Sequence, residues 1–202
     1  MSLRLSGGRR LQSPPGDLAR PTPARVRLAV INLLAAELPG CRWLDLCSGS
    51  GAMACEALQR GAGRVVAVER DRRLAAVTRS NLEAVQQGLG RPSQVQVHAT
   101  DVLRWLRRGR DAGGNAAGSS GAGGRADDDD QGGFDLIYAD PPYAAGLYGP
   151  IAEAVAGDHW LAERGTMIWE CGSGAVAEPP PGWRLRDRRR YGSTSVVLLQ
   201  QG

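Results

Sequence analysis

Apolar and polar residues follow one another along the chain in a pattern that predicts alternating strands and helices. Short apolar runs with the length of buried strands lie at residues 43–47, 64–69, 134–139 and 165–171, and residues 94–99 alternate between polar and apolar as a further strand. Apolar residues recur at helical spacing in several intervening segments, among them residues 52–58, 72–87 and 150–156. Residues 183–191 and 195–199 predict a final strand pair. The pattern predicts an α/β fold with a largely parallel, doubly wound, seven-stranded sheet and an antiparallel carboxyl-terminal end.

Residues 1–24 are predicted to form a short basic arm or hairpin ahead of a single domain over residues 25–202. One acid, Asp17, stands in the first 25 residues against Arg4, Arg9, Arg10, Arg20 and Arg25. Nucleic-acid contact is the favoured interpretation. A transit peptide is the alternative, because the segment is rich in Arg and poor in acids, but it lacks a long amphipathic pattern.

A helix is predicted directly after this arm. Pro23 suits the start of a helix, and Thr22 before it is predicted to be the cap. Apolar residues continue at helical spacing as far as Leu38, and Pro39-Gly40 is expected to end the helix.

Residues 109–133 differ abruptly from the rest of the chain, because they consist mainly of Gly, Ala, Ser and Asp and include the acidic run 127–130. Such a segment buries too little apolar surface to offset the entropy of ordering it. It is predicted to be a disordered surface loop. An alternative is that the acidic run mimics phosphate and shields the basic surface.

Composition narrows the class of protein. The 202 residues carry a net charge of +4, and every basic residue is Arg, the side chain best suited to paired phosphate contacts. No stretch approaches the roughly 20 apolar residues of a membrane helix, so we expect a protein without membrane association. The cysteines form no Cys-x-x-Cys pair, which predicts reduced thiols in a cytoplasmic protein. His98 and His159 are isolated, which predicts that the protein binds no metal. We also expect a monomer.

The glycine-rich segment from Asp45 to Gly51 follows the first predicted strand and opens a helix. Residues 49–54 formally fit the Gly-x-Gly-x-x-Ala fingerprint of dinucleotide sites, which leaves an NAD oxidoreductase as one hypothesis. Asp45, however, would repel a pyrophosphate and can accept hydrogen bonds from an ammonium group. The turn therefore favours S-adenosylmethionine.

Acids also end the next two predicted strands. Glu69 is placed to accept hydrogen bonds from both ribose hydroxyls, and Asp101 from an adenine amino group, with Val102 or Leu103 supplying apolar contact. Each acid alone could instead be a helix cap or an exposed loop residue. The predicted cofactor-binding residues are Asp45, Leu46, Ser48, Gly49, Ser50, Gly51, Glu69, Arg70, Asp101 and Val102.

The fourth predicted strand ends in Asp140-Pro141-Pro142-Tyr143, a tetrapeptide that accepts hydrogen bonds, donates almost none from its backbone and offers a ring for stacking. The four residues are the predicted catalytic group. Such a surface suits a flat base that bears an amino group. An ordinary turn is the alternative.

Several of these motifs together resemble the RsmD family of bacterial 16S rRNA guanine-N2 methyltransferases. They are Arg20-Pro21-Thr22, the Arg25-Val26-Arg27 helix, Asp45 to Gly51, Glu69, Asp101 and Asp140 to Tyr143. The similarity extends from residues 5–11 to residues 191–194, and its most specific part is the basic arm that leads into Arg-Pro-Thr. Two departures are the long insertion at 109–133 and the lack of Lys in the arm.

The resemblance implies a Rossmann-like class I methyltransferase, S-adenosylmethionine as methyl donor, and a guanine of 16S rRNA, free or in the small ribosomal subunit, as acceptor. The predicted RNA contacts are Arg9, Arg10, Arg20, Thr22 and Arg25, and the Arg184 to Arg190 cluster is either a phosphate contact or a charged edge strand. Two rival functions are a DNA adenine or cytosine amino methyltransferase and a catalytically silent RNA-binding assembly factor.

Overall fold

A computed structural model describes residues 3–14, 22–112, 133–174, 176 and 178–202. Its helices are α1 Ala24–Leu33, α2 Ala52–Gln59, α3 Arg72–Gln87, α4 Val102–Ala112 and α5 Tyr148–Gly157. Its strands are β1 Arg42–Leu46, β2 Arg64–Glu69, β3 Gln94–Ala99, β4 Phe134–Ala139, β5 Leu161–Gly172, β6 Trp183–Tyr191 and β7 Thr194–Gln201.

The strands form a seven-stranded sheet in the order β3-β2-β1-β4-β5-β7-β6. Strands β1 to β5 pair in parallel, and β7 pairs antiparallel with both β5 and β6. The prediction of a largely parallel sheet with an antiparallel end is confirmed. The chain runs outward from β1 to β3 and then crosses to β4, so the carboxyl ends of β1 and β4 flank the crevice where open α/β sheets bind ligands.

Apolar side chains pack on both faces of the sheet. The first core cluster joins Ile31 of α1, Leu58 of α2 and Leu82 of α3 to Trp43 of β1. The second cluster joins α4 and α5 to the opposite face, where Leu106, Ile151 and Trp169 are fully buried. Because helices cover both faces, each central strand is apolar on both sides, and this explains the continuous apolar runs in the sequence.

The described part of the amino-terminal segment is a hairpin that packs against the domain. Leu5 N donates to Arg9 O at 2.9 Å and Leu11 N donates to Leu3 O at 2.9 Å. These three leucines are buried in the first core cluster. The hairpin is therefore tied to α2 and α3 by apolar packing, and its role as an RNA-contact unit stays a prediction.

Two predicted helices have other bounds. Helix α1 ends at Leu33, and residues 34–38 continue as a turn in which Leu38 N still donates to Leu34 O at 3.1 Å. Helix α4 extends to Ala112, so residues 109–112 are helical and the prediction of disorder is wrong for them. The predicted loop continues over residues 113–132, which lie outside the described residues, as does the acidic run.

The prediction that Thr22 caps α1 is wrong as well. Pro23 occupies the cap position without a side-chain hydrogen bond to the helix. Thr22 precedes this cap, and its backbone O accepts a hydrogen bond from Arg27 Nη1 at 2.6 Å.

The four cysteines are free, and only Cys47 is partly accessible. Within the described ranges, no helix is both long and apolar enough to cross a membrane. In the same part of the chain, His, Cys, Asp and Glu side chains do not cluster in a group of three that could hold a metal ion.

Candidate active site

The turn that follows β1 is held by hydrogen bonds from two neighbouring elements. Gly49 N donates to Glu69 Oε2 at 2.9 Å, and Thr78 Oγ1 donates to Gly49 O at 2.9 Å. Asn81 Nδ2 donates to Ser50 O at 3.0 Å. These bonds fix the glycine turn against β2 and α3, so its shape is set before a ligand binds.

Gly51 and Cys47 both have left-handed backbone conformations in this segment. Gly51 has φ 73° and precedes α2 directly, where a side chain would meet Thr78. Cys47 has φ 64°, which is uncommon for a residue with a side chain and is characteristic of strained functional turns. Burial, and then the charge of Glu69, raise the pKa of the Cys47 thiol to about 12, so this group is neutral at pH 7.

Asp45 lies beneath this turn with 1% of its surface exposed. Its Oδ2 accepts a hydrogen bond from Ala54 N, in the first turn of α2, at 3.0 Å. Burial raises the pKa of Asp45 well above its usual value, and the charge of Asp140 adds to the effect. Asp45 thus holds the amino end of α2, and its contact with a cofactor ammonium group stays a prediction.

The Glu69 carboxylate accepts hydrogen bonds from two backbone N–H groups. Its Oε1 accepts from Asp71 N at 2.9 Å, so each carboxylate oxygen already holds one hydrogen bond. An ionised carboxylate can accept about four hydrogen bonds in all, which leaves capacity for two ribose hydroxyls. The neighbouring Arg70 is exposed, and its cofactor contact stays a prediction.

Asp101 is the cap of α4, the alternative that its position at a strand end had left open. Its Oδ1 accepts from Arg104 N at 3.0 Å, while the residue itself remains exposed. Leu103 and Arg104 line a cavity together with Asp101, and Val102 is buried beside it. An acceptor, an apolar side chain and a planar cation suit an adenine ring, although this contact remains a prediction.

The predicted catalytic tetrapeptide lies at the crevice between β1 and β4. Asp140 N donates to Leu46 O at 3.3 Å, which joins the end of β4 to the end of β1. Asp140 is half-buried and Pro141 is buried, while Pro142 and Tyr143 are exposed. The structure therefore places the carboxyl group of Asp140 next to the glycine turn.

The Tyr143 ring is fixed at one side and free at the other. A Cβ added to Gly172 would come within 3.2 Å of Tyr143 Cδ2, so the ring lies directly over that glycine. On its other side, 52% of Tyr143 remains exposed. A ring held in this way offers a flat surface for stacking.

Glu170 is a site residue that the sequence reasoning missed. Ala139 pairs with Trp169 in the parallel register of β4 and β5, so the next residues, Asp140 and Glu170, are neighbours at the end of the sheet. Only 2% of Glu170 is exposed, and its Oε2 accepts a hydrogen bond from the buried Tyr138 hydroxyl. The signal in the sequence was a single acid within the apolar strand 167–171.

Burial raises the pKa values of both Asp140 and Glu170. The charge of Glu170 raises the pKa of Asp140 further, whereas the hydrogen bond from Thr22 lowers it. Thr22 is half-buried, and its predicted contact with RNA stays a prediction.

Arg27 connects the segment that carries Thr22 to the amino-terminal hairpin. It is 3% exposed, its Nη1 donates to Thr22 O at 2.6 Å, and its Nη2 donates to Arg4 O at 2.5 Å. Its Nε lies 3.6 Å from Glu56 Oε1, an atom that also accepts from Ser6 N at 2.8 Å. One buried arginine therefore holds the hairpin, α2 and the segment that carries Thr22.

The other predicted RNA contacts are dispersed. Arg9 donates to Ala84 O at 3.0 Å, near the carboxyl end of α3 and away from the sheet edge that carries Asp140. Arg10 and Arg25 are exposed, and Arg20 lies outside the described residues.

The arginines of β6 lie on an outer strand of the sheet. Two of them form ion pairs within the chain, Arg186 with Glu37 at 2.8 Å and Arg189 with Asp187 at 2.9 Å. These pairs fit the charged edge strand that was kept as an alternative to phosphate binding.

Comparisons with known proteins agree with this architecture. The model of the family described as Conserved hypothetical protein 95 matches residues 5–115 and 121–200. The Bacillus subtilis (strain 168) protein YlbH, provisionally named an rRNA methyltransferase, is 27% identical over 195 residues, which cover 96% of this chain and 94% of YlbH. Ribosomal RNA small subunit methyltransferase D of Escherichia coli (strain K12) is 25% identical over 195 residues, which cover 96% of this chain and 85% of that protein.

A solved structure shows the same fold. The Escherichia coli protein YhhF, provisionally described as a methyltransferase, superposes with a TM-score of 0.74 at 25% identity, and the match covers 100% of this chain and 98% of that chain. The predicted Rossmann-like class I methyltransferase fold and the family resemblance are both confirmed. The chain belongs to the Conserved hypothetical protein 95 family, which is the family of ribosomal RNA small subunit methyltransferase D.

Proposed function

We propose that this protein transfers a methyl group from S-adenosylmethionine to the exocyclic amino group of a guanine in 16S rRNA. The position of Asp140 carries the proposal. This residue lies at the topological switch point of the sheet, where its backbone N donates to Leu46 O at the end of β1. The RNA substrate is supported by the names of the relatives. The choice of guanine N2 rests on the family resemblance.

The glycine turn has the chemistry that S-adenosylmethionine requires. Ser48 Oγ is buried and has no hydrogen-bond partner among the described residues, so a polar group is available at the turn. Gly49 lets a ligand approach the backbone, and Glu69 and Asp101 retain acceptor capacity for ribose and adenine. When bound, S-adenosylmethionine supplies an electrophilic methyl group.

Asp140 and Pro141 would activate the acceptor amine. The lone pair of a guanine amino nitrogen is delocalised into the ring, so the nitrogen is a poor nucleophile. The Asp140 carboxylate and the Pro141 carbonyl can each accept one amine hydrogen, which draws the amine out of the ring plane. Orientation of this kind accounts for a large part of the acceleration in group-transfer enzymes. As the new N–C bond forms, the amine proton can leave to Asp140.

Tyr143 would hold the target base after it leaves its stack. Its exposed ring offers a stacking contact worth about 1–3 kcal/mol per base. Pro141 and Pro142 lack a backbone N–H, so they do not compete as donors for the acceptor atoms at this site.

The test is incubation of the protein with labelled methyl donor and 16S rRNA, or small ribosomal subunits, from a strain that lacks the enzyme, followed by mapping of the labelled nucleotide. We expect one guanine to carry the label at N2. Label only in DNA would indicate the rival amino methyltransferase. Absence of both transfer and cofactor binding would indicate a silent assembly factor.

Asp140→Ala is the matched variant for this assay. It should abolish transfer and leave cofactor binding, measured by calorimetry, largely intact, because the carboxyl group is assigned to the acceptor amine. A loss of cofactor affinity equal to the loss of rate would contradict that assignment.

A further inference from the structure

The arginines of β6 are divided between the two faces of the sheet. Arg189 is paired with Val196 of β7, a residue of the first core cluster. Arg188 is paired with Val197, a residue of the second core cluster. The side chains of directly paired residues point to the same face of a sheet. Arg189 therefore lies on the face of α1 and α2, and Arg188 lies on the face of α4 and α5. Arg190 shares the face of Arg188, because side chains alternate along a strand.

The two faces differ in whether the arginines have acidic partners. Arg186 reaches the first face, since its partner Glu37 follows α1. Arg186 and Arg189 are both engaged in the ion pairs described above. Arg188 and Arg190 are exposed, and neither forms an ion pair with any residue that the structure describes. Positive charge is thus neutralised on the first face and uncompensated on the second.

The uncompensated arginines approach the sheet edge that carries Asp140. Strand β7 runs antiparallel to both β5 and β6, so β6 runs in the same direction as β5 and ends at that edge. Between the ends of β6 and β4 lie three strand spacings, about 14 Å. About four nucleotides cover this distance at the 3.4 Å rise of a stacked strand. A strand of RNA at Asp140 is therefore long enough to reach Arg190 within a few nucleotides.

Arg190 is oriented by the turn that follows it. Its Nε donates to Gly192 O at 3.1 Å, while its two terminal nitrogens hold no hydrogen bond within the described ranges. The turn is itself fixed to the end of β5, because Ser173 N donates to Ser193 O at 2.8 Å and Ser173 Oγ donates to Gly192 O at 3.2 Å. A guanidinium group held in this way presents two parallel donors, the arrangement that phosphate oxygens accept best.

The charge of Arg188 also reaches the end of β5. Burial raises the pKa of the Cys171 thiol, and the charge of Arg188 opposes that rise. Cys171 precedes Gly172, the residue beneath the Tyr143 ring. The field of Arg188 therefore extends to the strand end on which the ring of Tyr143 rests.

We propose that Arg188 and Arg190 bind backbone phosphates of the RNA next to the target guanine, whereas Arg186 and Arg189 serve only the edge strand. The inference rests on the proposed function. The two guanidinium groups lie on one face without acidic partners, at the sheet edge of the acceptor site, and a polyanion would supply the missing negative charge. A charged edge strand accounts for the paired arginines of the first face alone.

The experiment measures binding of 16S rRNA by filter retention over a range of salt concentrations. Arg188→Gln/Arg190→Gln is compared with Arg186→Gln/Arg189→Gln, which removes the same charge from the same strand but from the opposite face. In the first variant the affinity should fall about 10–30-fold at 0.1 M salt, and the slope of log affinity against log salt should become shallower by about 1.4–1.8. The second variant should stay within about twofold of the parent. Equal losses in the two variants, or no loss in the first, overturn the inference.

Arg188→Lys/Arg190→Lys tests whether charge is the property that matters. The lysines keep both positive charges, so the salt slope of the parent should return, because the slope counts the phosphates that are neutralised. The affinity should stay below that of the parent, since an ammonium group lacks the paired donors of a guanidinium group. A slope as shallow as that of the glutamine variant would contradict phosphate binding. Urea unfolding verifies that each variant is folded.

Methyl transfer gives the kinetic counterpart. Arg188→Gln/Arg190→Gln should raise KM for the RNA and leave kcat at saturating RNA unchanged, because these side chains hold the RNA and do not touch the reacting atoms. A lower kcat with an unchanged KM would contradict the assignment. If the parent protein methylates no RNA, the proposed function fails, and the comparison of RNA binding between the two glutamine variants still decides whether this face holds phosphates.

Discussion

Gly51 and Thr78 are in direct contact across the interface between the glycine turn and α3. A Cβ added to Gly51 would come within 2.7 Å of Thr78 Cγ2 and 3.2 Å of Thr78 Cα. The backbone of Gly51 also has φ 73°, a conformation that residues with side chains rarely adopt. The close approach of α3 and the left-handed backbone therefore both require glycine at this position.

Gly51→Ala should destabilise the protein by about 2 kcal/mol and weaken cofactor binding, because the turn must shift away from α3. Urea unfolding and calorimetry would measure the two effects. Gly90→Ala is the control, since Gly90 has open space around it. Thr78→Ser removes only the clashing methyl group, so Gly51→Ala should be less costly in that background. Equal losses in both backgrounds would contradict the proposed clash.

Tyr143→Ala should weaken RNA binding by about 1–3 kcal/mol, the value of one base stacked on an aromatic side chain. Tyr143→Phe should retain most of the affinity, because the ring stays and only the hydroxyl group is lost. RNA binding measured by filter retention, with cofactor affinity as the control, distinguishes the variants. Tyr143→Ala that binds RNA as the parent does would exclude stacking by this ring.

Arg27→Met should destabilise the protein by about 3–5 kcal/mol, because it leaves Glu56 buried without its cation. Arg189→Met is the comparison, since Arg189 and Asp187 form an exposed pair whose loss should change the free energy of unfolding by less than about 1 kcal/mol. Urea unfolding at neutral pH measures the change in the free energy of unfolding for both substitutions. Similar effects of the two substitutions would show that burial does not govern the Arg27 contact.

Glu170→Gln should stabilise the protein at pH 8 relative to pH 4. The folded pKa of Glu170 is raised, chiefly by burial, above its value in the unfolded chain. The parent is therefore most stable while this acid is protonated in both the folded and the unfolded chain. Its free energy of unfolding falls as pH rises from the unfolded pKa toward the folded pKa. The glutamine has no proton to lose. We expect Glu170→Gln to unfold at a higher urea concentration than the parent at pH 8, which the exposed control Glu163→Gln at the other end of β5 should not reproduce.

Much of the fold could be predicted from local pattern. The bounds of β2, β3, β4 and β6 agree with the predicted strands, because each strand is flanked by turn residues or charges that end it. The extension of α4 to Ala112 was missed, because the glycine and aspartate content beyond residue 108 dominated the prediction.

The acids at the ends of β1, β2 and β4 were predicted to lie near one another, because parallel strands bring their carboxyl ends to one edge of the sheet. Glu170 was missed because it lies within an apolar strand that continues past it to Gly172. Thr22 was misassigned as the helix cap because Thr before Pro is a good helix start locally, whereas Pro23 takes the cap position in the folded chain. Local rules describe elements well and describe contacts between distant segments poorly.

The ion pair between Arg186 and Glu37 also has a consequence for how the protein matures. Its two ends are 149 residues apart, so the nascent polypeptide must extend into β6 before the pair can close. Contacts of such sequence separation close slowly, because the intervening chain must be ordered first. The antiparallel edge of the sheet is therefore among the last parts of the molecule to reach its folded state, and its strands stay exposed on the nascent chain until then.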